Sequence, residues 1–258
     1  MMDRVAFHKL FKAPGPVVLP VIHVLDTTRT EENLRVVIGE GAAGVFLINH
    51  DFPVAPFLPI IRQVRERFPN IWLGVNFLAV TGLEAFPVLG ELEAEGVPLE
   101  AYWADDARID ERLPVDDQAE AEEISAARST SGWRGLYFGG TAFKKQREVA
   151  AEDYEASARL SVPRMDVVTT SGVATGHAAD LAKIAAFRDG VGDGPLAVAS
   201  GITPENAARY GSAVDAFLVA TGINREGDFY TIDPGRLAHL MKVTRDLGQG
   251  EGGEGGDD

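Results

Sequence analysis

The chain has 258 residues, 45% of them hydrophobic, with 39 acidic against 24 basic side chains and a formal net charge of −15. That balance excludes partners met through clustered Lys and Arg, nucleic acid and anionic membrane surfaces among them, so an anionic ligand must be held by backbone N–H groups and a few chosen cations. With no cysteine there is no disulfide, zinc–thiolate centre or thiol nucleophile.

Residues 1–16 read as a lead-in whose amphipathic fragment, Val5 to Phe11, suits the bottom of a barrel. Val17 to Val24 is a β-branched first strand carrying His23, with Asp26 just beyond it. Thr30 followed by Glu31 and Glu32 predicts a capped helix through Ile38. The second strand, Gly44 to Ile48, ends in Asn49-His50-Asp51, and Pro53 and Pro56 break the chain before a helix from about Leu58 to Phe68. Ile71 to Leu78 is the third strand, with Asn76 near its end and a helix from Thr81 to Glu95 after it. A weaker fourth run, Leu99 to Trp103, ends in Asp105-Asp106 and leads through irregular chain to a polar helix, Asp117 to Ser129. Gly135 to Phe138 is the fifth strand, followed by Gly139-Gly140 and by Lys144 and Lys145; the next helix is Ala151 to Ser161.

Three short apolar runs then end in small-residue turns: Val167 to Thr170 into Ser171-Gly172, Leu196 to Ala199 into Ser200-Gly201, and Phe217 to Ala220 into Thr221-Gly222. Helices are predicted from near Ala178, from Pro204 with Thr203 as its N-cap, and from Gly235 to Leu247. Strand starts near 17, 44, 71, 99, 135, 165, 195 and 216 are spaced as βα units, and eight such units close an α/β fold into a single (β/α)8 TIM barrel over residues 17–247. An open doubly wound sheet shares the alternation, but no G-x-G-x-x-G follows the first strand. The acidic, glycine-rich tail, 248–258, has nothing apolar to bury and is expected to be disordered.

In such a barrel the strand ends gather in one mouth, and the turns after the last strands often hold phosphate. Ser171, Gly172, Thr175, Gly176, Ser200, Gly201, Thr221 and Gly222 are the predicted phosphate-binding set, with the helix start at Thr203-Pro204 adding free N–H groups. On the plainer reading these glycines only make tight turns. The reacting end is sought among His23, His50, Asn76, Asp105 and Lys144: histidines as acid or base, a carboxylate as base, a lysine as counter-charge or Schiff-base former. Adjacent strand residues face opposite sides, so only one of Asp105 and Asp106 should point inward. No HxH pair follows the first strand and the histidines are few and scattered, so no zinc site and no cofactor are expected; the alternative for Asp105 and Asp106 is to hold a divalent ion with Asp26 or Asp51.

The segments SGVATGHAADLAKI, PLAVASGITPENAARY, VDAFLVATGI and DFYTIDPGRL resemble the BtpA family over residues 165 to 240, through its strand-end SG-x-x-TG, its SG-x-T-x-x-N and a closing DP before a helix. The resemblance implies a TIM barrel and a role in biogenesis or stability of a membrane protein complex, notably photosystem I, with related members in sugar-metabolism operons. Two functions follow as expectations. One is an enzyme, an isomerase, lyase or transferase, for a small phosphorylated metabolite; the other is a non-catalytic assembly factor, which calls for an exposed apolar patch such as Phe52 to Phe57. A phosphometabolite sensor is a third. No apolar run nears the ~20 residues that span a bilayer and the N-terminus lacks a signal-peptide core, so a soluble protein is expected, and the lack of cysteine fits a cytoplasmic location. Barrels of this size also raise the expectation of a homo-oligomer.

Overall fold

In the computed structural model, which describes residues 2–174 and 176–250, eight parallel strands pair in sequence order and the last closes on the first. They are β1 (Val17–Val24), β2 (Val45–Asn49), β3 (Leu73–Asn76), β4 (Ala101–Ala104), β5 (Leu136–Gly140), β6 (Val167–Ser171), β7 (Leu196–Ala199) and β8 (Ala216–Val219). Along β1, Val17 pairs with Ala216 of β8 whereas Val21 pairs with Phe46 of β2, the stagger that tilts strands around a barrel. This is a TIM barrel.

Alternate residues of each strand fill the interior: Val17, Leu19 and Val21 on β1, Phe46 and Ile48 on β2, Ala101 and Trp103 on β4. The same period of two, carried one step past this apolar filling, delivers His23, His50 and Asp105 to the carboxyl mouth. Asp106, out of phase, instead accepts a hydrogen bond from the Arg108 backbone at 2.8 Å.

The lead-in plugs the opposite end. Helix α1 (Arg4–Phe11) starts where the Asp3 side chain accepts from the Ala6 N–H, and Phe7 is fully buried in the barrel's inner cluster against Phe11 and Phe138. Asp215, just before β8, fastens it: its carboxylate accepts hydrogen bonds from Arg4 at 2.7 Å, His8 at 2.9 Å, Arg188 at 2.9 Å and the Leu196 N–H at 2.9 Å.

The outer helices are α2 (Thr27–Gly39), α3 (Val54–Arg67), α4 (Gly82–Ala94), α5 (Ala119–Ser131), α6 (Tyr154–Ser161), α7 (Leu181–Val191) and α8 (Pro234–Gly250). Several boundaries differ from those predicted. Asp26, not Thr30, caps α2, by accepting from the Arg29 N–H at 2.8 Å; Thr30 lies inside the helix and donates to the Asp26 carbonyl. Pro56 does not hold back α3, because it falls in the first turn where no N–H is required. Asp180 caps α7, so that helix begins later than Ala178. No α-helix follows β7. Two 3-10 turns, Ala207–Arg209 and Gly211–Ala213, take its place, because the Asn206 side chain binds both the Thr203 N–H and the Gly201 carbonyl and wraps the chain around itself. The anion-binding helix start expected at Thr203-Pro204 is therefore absent. Helix α8 runs on through 248–250, where it lies against Gly15, and residues 251–258 fall outside the described residues. Of the stretch Phe52 to Phe57, Phe57 is fully buried and Phe52 packs on it, while Pro53, Ala55 and Pro56 are exposed. Among the described residues no helix is long and apolar enough to cross a membrane.

Candidate active site

A cleft of about 660 Å3, counting its open mouth, occupies the carboxyl end of the barrel. Its floor is apolar, from Val21, Ile48, Trp103 and Leu218. Its rim carries His23, His50, Asp105, Lys144, Gly176, Ser200, Gly201, Thr221 and Gly222. Nine of the thirteen residues expected from the strand ends thus border one space. Of the rest, Asn76 stands behind Asp105, Ser171 and Gly172 belong to the wall, and Thr175 lies outside the described residues. The Ser171 hydroxyl is occupied in that wall, accepting from the Lys144 backbone N–H at 2.8 Å and donating to the Gly172 carbonyl.

The last corners meet closely. A Cβ on Gly201 would fall 2.1 Å from the Ala178 nitrogen, and one on Gly222 would fall 1.8 Å from the Ile202 carbonyl oxygen, so glycine lets the chain after β7 lie directly on its neighbours. Ser200 and Gly201 are both left-handed, at φ 72° and 68°. For a serine this is a strained conformation of the kind that collects at functional sites. Among the described residues the N–H groups of Gly201, Ile202, Thr221 and Gly222 find no acceptor within the chain. The Lys144 ammonium donates to the Ser200 hydroxyl at 2.8 Å, which sets a cation beside these amides.

On the opposite side the Asn76 side chain donates to Asp105 at 3.0 Å. Burial raises the Asp105 carboxyl above the usual range even though Lys144 and the Asn76 hydrogen bond favour its charge. Burial lowers the Lys144 ammonium, against the pull of Asp105. The two groups are thus drawn toward each other in proton affinity, as an acid and a base that exchange protons must be. Two buried polar atoms here have no partner: the Trp103 indole N–H, in the cleft floor, and the Asn76 Oδ1.

His23 is nearly buried, and its Nδ1 lies 3.1 Å from the Phe229 carbonyl while its ring stacks on Phe229 at 3.7 Å. His50 meets the same ring edge-on at 5.0 Å. Phe229 arrives on the β8–α8 segment, which Asn33 clamps through the Tyr230 carbonyl and the Ile232 N–H, and which the Tyr230 hydroxyl ties to Asp51. Burial pushes His23 down to about 4, so it is neutral near pH 7. Its native affinity for a proton lies below that of an unfolded histidine. Stability from this residue is therefore present above about pH 6.5 and is lost as pH falls toward 4. In an NMR titration the His23 ring should stay neutral at pH 6, and Phe229→Ala, which opens the ring to water, should move its midpoint up toward 6.5. An unchanged midpoint would mean the stack does not exclude water.

Sequence reasoning missed Trp103, Phe229 and Lys183. Trp103 was readable, since it shares a strand face with Asp105 two residues on. Phe229 carries no local signal. Lys183 on α7 buries its ammonium against the carbonyls of Ala142 and Ser171, so it ties two strand ends together and is held away from the cleft; burial lowers it to about 8. Asp26 accepts in the cap of α2 and Asp51 from Tyr230, and among the described residues no group of three or more His, Asp or Glu is poised for a metal.

The family model described as the BtpA family matches residues 52–246. The chain belongs to the BtpA family. The match reaches well upstream of the 165–240 stretch and takes in Asn76, Asp105 and Lys144, while His23 and His50 lie before it. A search of curated proteins returns no match. Among solved structures, this BtpA-family chain is similar to one described as native KDPGal, with 12% identity, a TM-score of 0.61, and 90% of this chain and 96% of that one covered. It is similar to phosphoribosyl anthranilate isomerase from Thermus thermophilus at 15% identity and TM-score 0.59, with 90% and 99% covered. It is also similar to the tryptophan synthase alpha subunit of Legionella pneumophila str. Paris at 17% and 0.61, with 97% and 100% covered. At these identities the likeness is one of fold.

Proposed function

We propose that this BtpA-family barrel is an enzyme for a small phosphorylated metabolite. The phosphate would sit at the corners after β7 and β8, on the N–H groups of Gly201, Ile202, Thr221 and Gly222, with Lys144 supplying the positive charge. The observation that carries the reading is the Lys144–Ser200 pair, at 2.8 Å, beside left-handed Ser200-Gly201 and four amides with no acceptor among the described residues, in a protein of net charge −15. Oriented backbone N–H groups together with one cation are the usual means of holding an oxyanion where the overall charge opposes it. The isomerase among the fold neighbours is named for a phosphoribosyl compound, which is consistent with this use of the fold.

Across the cleft, Asp105 would move protons, Asn76 would fix its carboxyl, and His50, the more open of the two histidines, would serve as a second acid or base. Neutral His23, whose Nδ1–H donates to the Phe229 carbonyl, would accept a hydrogen bond from a substrate hydroxyl through Nε2.

The test is thermal stability in inorganic phosphate and in a panel of sugar phosphates. A ligand at a hundred times its Kd stabilises by about 2.7 kcal/mol, which for a chain of this size is a rise of roughly 5 to 10 °C. Lys144→Met should lose most of that rise. No response to any phosphorylated compound would end the proposal.

A further inference from the structure

Resting on the proposed function, we infer that Lys144 forms an imine with the carbonyl group of its phosphorylated substrate, so that the substrate class is a phosphorylated aldehyde or ketone. Lysine side chains that serve only as counter-ions sit against carboxylates, as Lys242 does with Asp246 at 2.6 Å. Lys144 differs. Among the described residues it is in no ion pair; its ammonium is held by a hydroxyl, Ser200 Oγ, and lies 5.9 Å from the centre of the Phe143 ring. It is half-buried at the rim of an apolar floor. A desolvated amine of this kind is easily converted to the neutral nucleophile, and burial lowers its proton affinity in the same direction.

The rest of the cleft supplies what imine formation needs. Asp105, positioned by Asn76, borders the same space and is coupled electrostatically to Lys144. Beneath them the Trp103 indole N–H has no acceptor and the Asn76 Oδ1 no donor, although both are buried. A buried polar atom without a partner is costly, and a ligand oxygen in the cleft would satisfy the indole N–H. This end of the cleft therefore suits the oxygen of an aldehyde or ketone, with the phosphate directed toward Gly201 and Gly222. Of the other two lysines nearby, Lys183 is fixed on two backbone carbonyls, and Lys145, which also borders the cleft, is exposed to water and so lacks the desolvation that favours a neutral amine.

The step balances. The Asp105 carboxylate takes one proton from the Lys144 ammonium, the neutral nitrogen attacks the carbonyl carbon, a C–N bond forms, the C=O π pair moves to oxygen, and one amine proton passes to that oxygen to give a carbinolamine. Protonated Asp105 then gives its proton to the carbinolamine hydroxyl. Water leaves as the nitrogen lone pair closes the C=N bond, and a protonated imine and the Asp105 carboxylate remain. Addition of water in reverse frees the enzyme.

The experiment incubates the full chain with glyceraldehyde 3-phosphate or dihydroxyacetone phosphate, reduces with sodium borohydride, and maps the product by peptide mass spectrometry. The expected result is one reduced adduct on the peptide bearing Lys144, lost in Lys144→Met. Lys144→Arg keeps the charge but cannot form an imine, and should also lose the adduct while inorganic phosphate still raises its melting temperature. Absence of an adduct with both probes, or labelling that persists in Lys144→Arg, overturns the inference. If phosphate stabilises the protein and no adduct forms, the imine fails and the phosphate site stands. If glyceraldehyde without phosphate labels Lys144 as fast as its phosphate does, the imine stands and the phosphate site fails.

Discussion

Replacing Asp215 by alanine is expected to lower the melting temperature by roughly 10 °C. Its carboxylate, fully out of solvent, receives Arg4, His8, Arg188 and the Leu196 N–H, and so joins α1, α7, β7 and β8 at the base of the barrel. Removing one partner of a buried ionic cluster costs about 3 to 5 kcal/mol, because the remaining charges stay desolvated. At about 2 to 4 °C per kcal/mol for a chain of this length, that gives the stated shift. The pH dependence follows from the same contacts. Burial acts to raise the Asp215 carboxyl, but the hydrogen bonds from His8, the Leu196 N–H and Arg4 outweigh it and hold it below the usual carboxylate range. A group depressed in the folded state stabilises above its unfolded pKa, near 4 for aspartate, and that contribution disappears as pH falls through the native value. The gap between wild type and Asp215→Ala, measured by denaturation, should therefore be full at pH 7 and narrow below pH 4. A gap that held constant across that range would show that the ionic contacts contribute nothing.

The barrel was legible because most strands announce themselves twice, by a run of β-branched or aromatic residues and by the glycine or acidic turn that ends it, although β3 runs on into Phe77-Leu78-Ala79-Val80 with no such turn. Helix starts were less legible. Thr30 and Asp26 are both good caps, and only the chain's path after β1 makes Asp26 the cap. The missing helix after β7 turns on one side chain: Asn206 outcompetes helical bonding by taking the Thr203 N–H and the Gly201 carbonyl together, a choice that composition does not reveal. In the site, His23, His50 and Asp105 could be read from strand phase alone. Phe229 could not. It reaches His23 from 206 residues away because Asn33 and Asn224 hold the β8–α8 segment in place. Ser171 was indistinguishable in sequence from mouth residues, yet its hydroxyl is used up bracing the wall, as is the ammonium of Lys183 on α7.

Gly222→Ala is expected to abolish the response to phosphate and to cost about 1 to 3 kcal/mol, the range for overpacked sites. The added carbon would fall 1.8 Å from the Ile202 carbonyl oxygen and 2.8 Å from its carbon. Both atoms are backbone, so no side chain can swing aside and the two corners must separate. Separation pulls the N–H groups of Gly201 and Ile202 away from those of Thr221 and Gly222, and an anion that needs all four loses its site. Gly39→Ala is the control: nothing lies within 4 Å of the added carbon, and alanine at the end of α2 should leave both stability and the phosphate response intact or slightly improved. The comparison separates two accounts of the same glycine. If it only makes a tight turn, Gly222→Ala loses stability but its melting temperature still rises with phosphate by the wild-type amount. If the corners form an oxyanion pocket, the rise vanishes even at concentrations that saturate wild type, and it does so in a variant that keeps Lys144 and Ser200 unchanged.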